Sequence, residues 1–169
     1  MAAKRSNKKA STFSGAKIRG FARVQIWENV KGSKKKRLVG DSGFIENTFT
    51  AEGKNNYIAA KVGSATGSLT PTHFVIATQS TAVDSTQTTL VGQHSVRVTF
   101  SPSSVSVGTL RMTGSWGSAQ NDAAKTVGSI GVHNTSTTTA GSMASGQTFT
   151  TSQWATNQDI SATYEWRFA

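Results

Sequence analysis

Ile160-Ser161-Ala162-Thr163-Tyr164-Glu165-Trp166-Arg167-Phe168 alternates without a break: Ile160, Ala162, Tyr164, Trp166 and Phe168 fall on one face, and Ser161, Thr163, Glu165 and Arg167 fall on the other. Successive side chains of a strand point to opposite faces, so a period of two with large apolar groups on one side describes a strand lying on a core. The reading is a central, core-facing strand.

The same period recurs in Phe21-Ala22-Arg23-Val24-Gln25-Ile26-Trp27, with Ala22, Val24 and Ile26 on one face and Arg23 and Gln25 on the other. Lys31-Gly32-Ser33-Lys34 then reads as a turn and Arg37-Leu38-Val39-Gly40 as a short return strand, which together make a basic-tipped hairpin. Charge at such a tip also discourages stray edge pairing.

Further strands are expected at His73 to Thr78, Ser95 to Phe100, Thr109 to Trp116 and Val127 to His133. One short helix is expected between Ala51 and Gly63, where Ile58, Ala59 and Val62 have helical spacing and Gly63 suits the stop. Gln79 to Thr89 and Asn134 to Gly146 have no period and read as surface loops.

Composition agrees with strands: the 169 residues include 22 Ser, 24 Thr and 16 Gly, with 2 Pro. Threonine favours strands, and serine and glycine favour turns. The expected fold is an all-β antiparallel β-sandwich, jelly-roll-like, with one short helix and an extended basic N-terminal arm. The arm is placed at residues 1–20, with Gly15 and Gly20 as hinges and Phe13 and Ile18 as anchors on another surface; the body is a single domain at 21–169.

Cysteine is absent, which removes disulfides, thiolate metal sites and thiol nucleophiles together. No run of 18 apolar residues is present, so no helix spans a bilayer, and no membrane partner is expected. The charged start, Met1 to Lys9, lacks the apolar segment of a secretory signal, so synthesis is expected to end in the cytoplasm.

Charge is divided unevenly. Of the 18 Lys and Arg, 12 lie in residues 1–40 beside one acid, Glu28, whereas residues 41–169 carry one more acid than base. Two clusters stand out: Lys4, Arg5, Lys8 and Lys9 in the arm, and Lys34, Lys35, Lys36 and Arg37 at the hairpin. A basic leader of this kind can bind phosphate backbone, an acidic protein surface or anionic lipid. These eight residues are the candidate partner- or nucleic-acid-binding set.

Catalytic chemistry finds little to stand on. His73, His94 and His133 are the only side chains poised near neutral pH, and each reads as a strand residue in an alternating pattern. Glu46 with Glu52, or Asp159 with Glu165, would need a shared cleft to act as an acid–base pair. No metal-ligand spacing, phosphate-cradling loop or dinucleotide fingerprint is present, so no enzyme, metal or cofactor is expected. Trp27, Trp116, Trp154 and Trp166 read as packing residues, with Trp154 the one expected to be exposed.

Thr70-Pro71-Thr72-His73-Phe74-Val75-Ile76-Ala77-Thr78, continuing to Asp84-Ser85-Thr86-Gln87-Thr88-Thr89-Leu90-Val91-Gly92, resembles small structural proteins of tailed-phage virions. The resemblance continues through Leu110-Arg111-Met112-Thr113, Val127 to Val132, Gly141 to Ala144 and Tyr164 to Phe168, covering about residues 44 to 168. Ser129 departs from it, standing where an acidic residue is usual, and the basic arm lies outside it.

The resemblance implies assembly rather than turnover: a bacteriophage virion protein on head or tail, made in the host cytoplasm, partnered by other virion proteins and by copies of itself as a homo-oligomer. The alternative is an icosahedral jelly-roll capsid protein whose basic arm binds packaged nucleic acid.

Overall fold

The computed structural model describes residues 17–63, 69–121 and 123–169. It is an all-β sandwich of two antiparallel sheets. Among the described residues eleven strands follow in order: β1 (Ile18–Asn29), β2 (Lys36–Asp41), β3 (Ile45–Glu46), β4 (Thr48–Phe49), β5 (His73–Ala77), β6 (Val98–Thr99), β7 (Ser101–Ser106), β8 (Thr109–Trp116), β9 (Lys125–His133), β10 (Met143–Trp154) and β11 (Gln158–Phe168). Sheet A has the order β2-β1-β11-β8-β7, with β3 also on β1; sheet B has the order β4-β10-β9-β5-β6.

The alternation read from β11 builds the centre of sheet A. In register, Ile26 lies opposite Ile160 and Trp116, and Ala22 lies opposite Tyr164 and Met112. Sheet B meets this face with Phe74 and Ile76 of β5 and Ile130 and Val132 of β9, and the Phe74 ring lies 5.7 Å from that of Tyr164 and 4.8 Å from that of Phe100. Fully burying one such side chain contributes roughly 1.5–3 kcal/mol.

The outer faces of the two sheets differ. Val75, Ala77 and Met143 on the outside of sheet B are covered by Val83 and Leu90 from the 78–97 loop, forming a second, smaller apolar cluster. Arg97 pins the neighbouring loop by donating to the carbonyls of Thr135, Thr138 and Ala140 and to Gln93 Oε1. Nothing among the described residues covers the outside of sheet A in this way.

The helix is a π-helical segment, Gly53–Ala59, running into one α-helical turn, Ala60–Val62 (together α1), with Gly63 at its C-cap. Its buried residues are Gly53 and Tyr57, Ile58 packs half-buried against the core, and Ala59 is exposed. A Cβ on Gly53 would lie 1.8 Å from the Ala144 carbonyl, so only glycine lets the helix sit this close to β10.

Several expectations are corrected. β1 begins at Ile18, so Gly20 is a strand residue rather than a hinge, lying where a Cβ would collide with the Asn47 side chain. Ile18 pairs with Phe168 and packs on the chain's own core instead of anchoring elsewhere. Trp154 is fully buried, donating its indole N–H to Gln158 O at 2.7 Å, and is not exposed. The Ser95 to Phe100 strand shrinks to β6, the loop from Asn134 ends at Ser142 where β10 begins, and β7 and β10 are strands that the period-two reading did not find.

Candidate functional site

The uncovered face of sheet A is built by the outward half of each alternating strand. Arg19, Phe21, Arg23, Gln25 and Trp27 of β1 stand beside Arg167, Glu165, Thr163, Ser161 and Asp159 of β11, with Arg111, Thr113 and Ser115 of β8 next in register. Arginine and aromatic groups are among the side chains enriched where proteins meet partners.

Charge on this face is closely paired. Glu165 is almost fully covered, with its side chain 4% exposed, and accepts from Arg111 at 2.6 Å through Oε1 and from Arg167 at 2.7 Å through Oε2. Arg167 also lies over the Phe21 ring, 4.2 Å from its centre. Burial raises the Glu165 carboxyl, but Arg167 and Arg111 outweigh it and hold it below the usual carboxylate range. Arg19 chelates Glu46 at 2.7 and 2.8 Å, and Arg23 chelates Asp41, each lowering its partner's pKa through the hydrogen bonds it donates.

The hairpin cluster divides in two. Lys36 donates to Asp159 Oδ2 at 2.5 Å, and Arg37, opposite Glu28 in the β1–β2 register, donates to that carboxylate at 2.6 Å. These two therefore stitch the hairpin to the sheet. Lys34 and Lys35, with Lys31, stand exposed at the turn and meet no carboxylate among the described residues. Lys4, Arg5, Lys8 and Lys9 lie outside the described residues.

The carboxylates considered for catalysis are occupied. Asp159 accepts from Lys36 and from the Ser118 amide at 2.6 Å; burial raises its carboxyl, but these donors and Asn29 hold it low. Glu46 belongs to Arg19, and Glu52 accepts from Asn56 at 2.6 Å. His94 packs 4.9 Å from Trp154 with Lys125 Nζ 3.1 Å from its Nε2, and His73 bonds Thr72 Oγ1 at 2.7 Å. His133 lies fully buried beneath the loops on sheet B, and burial, Arg97 and His73 push it down to about 3. Among the described residues no group of three or more His, Cys, Asp or Glu could hold a metal, and no helix is long and apolar enough to cross a membrane.

Sequence reasoning named the hairpin cations and missed Arg19, Phe21, Arg23, Arg111 and Arg167. The signal was present in the outward positions of the alternation, but only strand order brings β8, β11 and β1 together.

Comparison with protein-family models, with curated proteins and with solved structures finds no match.

Proposed function

We propose that this chain is a structural protein of a bacteriophage virion, assembling on head or tail with other virion proteins and with copies of itself. In this reading the sandwich is the building block, its uncovered sheet A face is a contact surface, and the segment with Lys4, Arg5, Lys8 and Lys9 is a cationic tether to a neighbour. It acts by occupying a place, without catalysis.

The observation that supports it most is the division of charge. Residues 1–16 carry four cations, Lys4, Arg5, Lys8 and Lys9, and no acid, and are joined to a sandwich whose sheet A carboxylates, Glu28, Asp41, Glu46, Asp159 and Glu165, are each paired within it. Such a body presents little repulsion to its own copies while the leader stays strongly cationic. The resemblance to small virion proteins over residues 44 to 168 points the same way.

Lys31, Lys34 and Lys35, exposed together at the hairpin tip, favour a second reading in which tip and arm hold packaged genome phosphate. Binding of purified chain to virion particles, measured by co-sedimentation with and without residues 1–16 and with nuclease treatment, tests both. Loss of binding on removing the arm, unaffected by nuclease, is expected for the tether. Capture of nucleic acid that falls steeply between roughly 50 and 200 mM salt is expected for genome binding.

A further inference from the structure

We propose that Arg97 and His133 form an acid-operated latch on the outer face of sheet B: when His133 takes a proton, the 134–142 loop lets go of Arg97 and lifts from the sheet.

Register brings the groups together. Phe74 and Val98, paired across β5 and β6, both belong to the core, so the positions beside them, His73 and Arg97, face outward. His133 of β9 lies opposite His73 on one side and opposite Met143 of β10 on the other. It is fully buried there, and neither ring nitrogen has a hydrogen-bond partner among the described residues. A neutral ring tolerates such a place far better than an imidazolium with two unmet N–H donors. The cover has to open before this ring can hold a proton.

That cover is lightly held. No residue of the 134–142 loop is buried, and none is charged. Arg97, itself buried, donates to the carbonyls of Thr135 at 3.0 Å, Ala140 at 3.1 Å and Thr138 at 3.3 Å. Tyr57 donates to the Ser142 carbonyl, and the Ser142 amide to Asn134 Oδ1 at 2.9 Å. A segment that buries no side chain and hangs on a few hydrogen bonds belongs to the low end of local opening free energies.

The electrostatics around His133 are one-sided. β5 offers His73, which bonds Thr72 Oγ1, and β10 offers the uncharged Met143. From α1 come the Tyr57 phenol and Glu52, which accepts from Asn56 and acts on Tyr57 rather than on either histidine. In the 78–97 loop Asp84 is engaged by Thr86 and His94 by Trp154, which leaves Arg97 as the charge that faces the ring. A proton on His133 therefore adds a cation beside Arg97 with no carboxylate among the described residues to offset it, and His73 adds another. Burial, then Arg97 and His73, hold the closed ring at about 3, whereas the opened ring titrates near its ordinary 6.5. Opening gains up to about tenfold per pH unit between those values as pH falls.

Amide hydrogen exchange of the full-length chain at pH 7 and pH 5, read by NMR and corrected for intrinsic exchange, tests the latch. The Ser142 amide reports the loop, and the Tyr164 amide, in the central strand of sheet A, reports global unfolding. Ser142 is expected to open far more often than Tyr164 at both pH values, its opening constant rising about 25-fold or more from pH 7 to pH 5. A Ser142 opening constant indifferent to pH overturns the latch. So does Ser142 opening no more often than Tyr164, because the event is then global. His133→Leu should remove most of the rise, and a rise that survives whole overturns His133 as the trigger. The first two outcomes need no substitution and decide the matter even if that variant does not fold.

Discussion

Lys17 and Ala169 exchange both backbone hydrogen bonds, Lys17 N–H to Ala169 O at 2.8 Å and Ala169 N–H to Lys17 O at 2.9 Å. They extend the β1–β11 ladder by one rung, and Phe168 N–H adds a bond to Gly108 O at 2.8 Å. Sheet A is therefore knitted from its first described residue.

Removing residues 1–16 is expected to leave this ladder intact and to shift Tm by less than about 2 °C, below what 1 kcal/mol gives at this chain length. Removing residues 1–21 deletes the rungs from Lys17 to Phe21 and lowers Tm by much more. Thermal melts of both truncations at low protein concentration check the boundary.

Gly53→Ala separates local preference from packing. Helix propensity alone favours alanine by about 1 kcal/mol. The new Cβ would meet the Ala144 carbonyl at 1.8 Å, an atom of the β10 backbone that cannot turn aside. The expected outcome is destabilisation by about 3 kcal/mol or more, read by urea unfolding.

Glu165→Gln removes the carboxylate that two guanidiniums share. Arg111 and Arg167 are 41% and 50% exposed, so water takes up part of the loss. A drop of about 1–2 kcal/mol is expected, the buried acceptor accounting for most of it. Chemical denaturation at pH 7 measures it.

His133 sets a pH dependence. Its folded-state pKa, about 3, lies below the ordinary 6.5, so the unfolded chain binds the proton first. Stability from this residue is present above pH 6.5 and is lost as pH falls from there toward 3. Between pH 6.5 and 4.5, above the ordinary carboxylate range, Tm should fall, and His133→Leu should flatten the curve. His73, opposite in register and also lowered by burial and by Arg97, contributes in the same direction. A Tm profile unchanged by His133→Leu would show that His133 does not set the slope.

What the sequence made legible follows from exposure. β1 and β11 lie in sheet A, with one face on the core and the other outward, and this produces the alternation that identified them. β10 had no such pattern because Met143, Ala144, Ser145 and Gly146 are buried on both faces of sheet B, after which the bulge at Phe149 shifts the phase. β7 has no buried residue at all, so nothing in Ser101–Ser106 carries a period. At the candidate site, the run Lys34 to Arg37 was visible, but the bond from Lys36 to Asp159 joins positions 123 residues apart and depends on register.

The sandwich has two apolar compartments with sheet B as their common wall. The main one is shared by both sheets; the lesser one is capped by Val83 and Leu90. Sequence drift at the exposed positions between Gln79 and Gln93 can therefore proceed without disturbing the larger compartment, provided those two plugs keep their volume and Gln79, Gln87 and Gln93 keep their hydrogen bonds. The molecule carries in that strap a region where it can vary its outline while the block beneath keeps its dimensions.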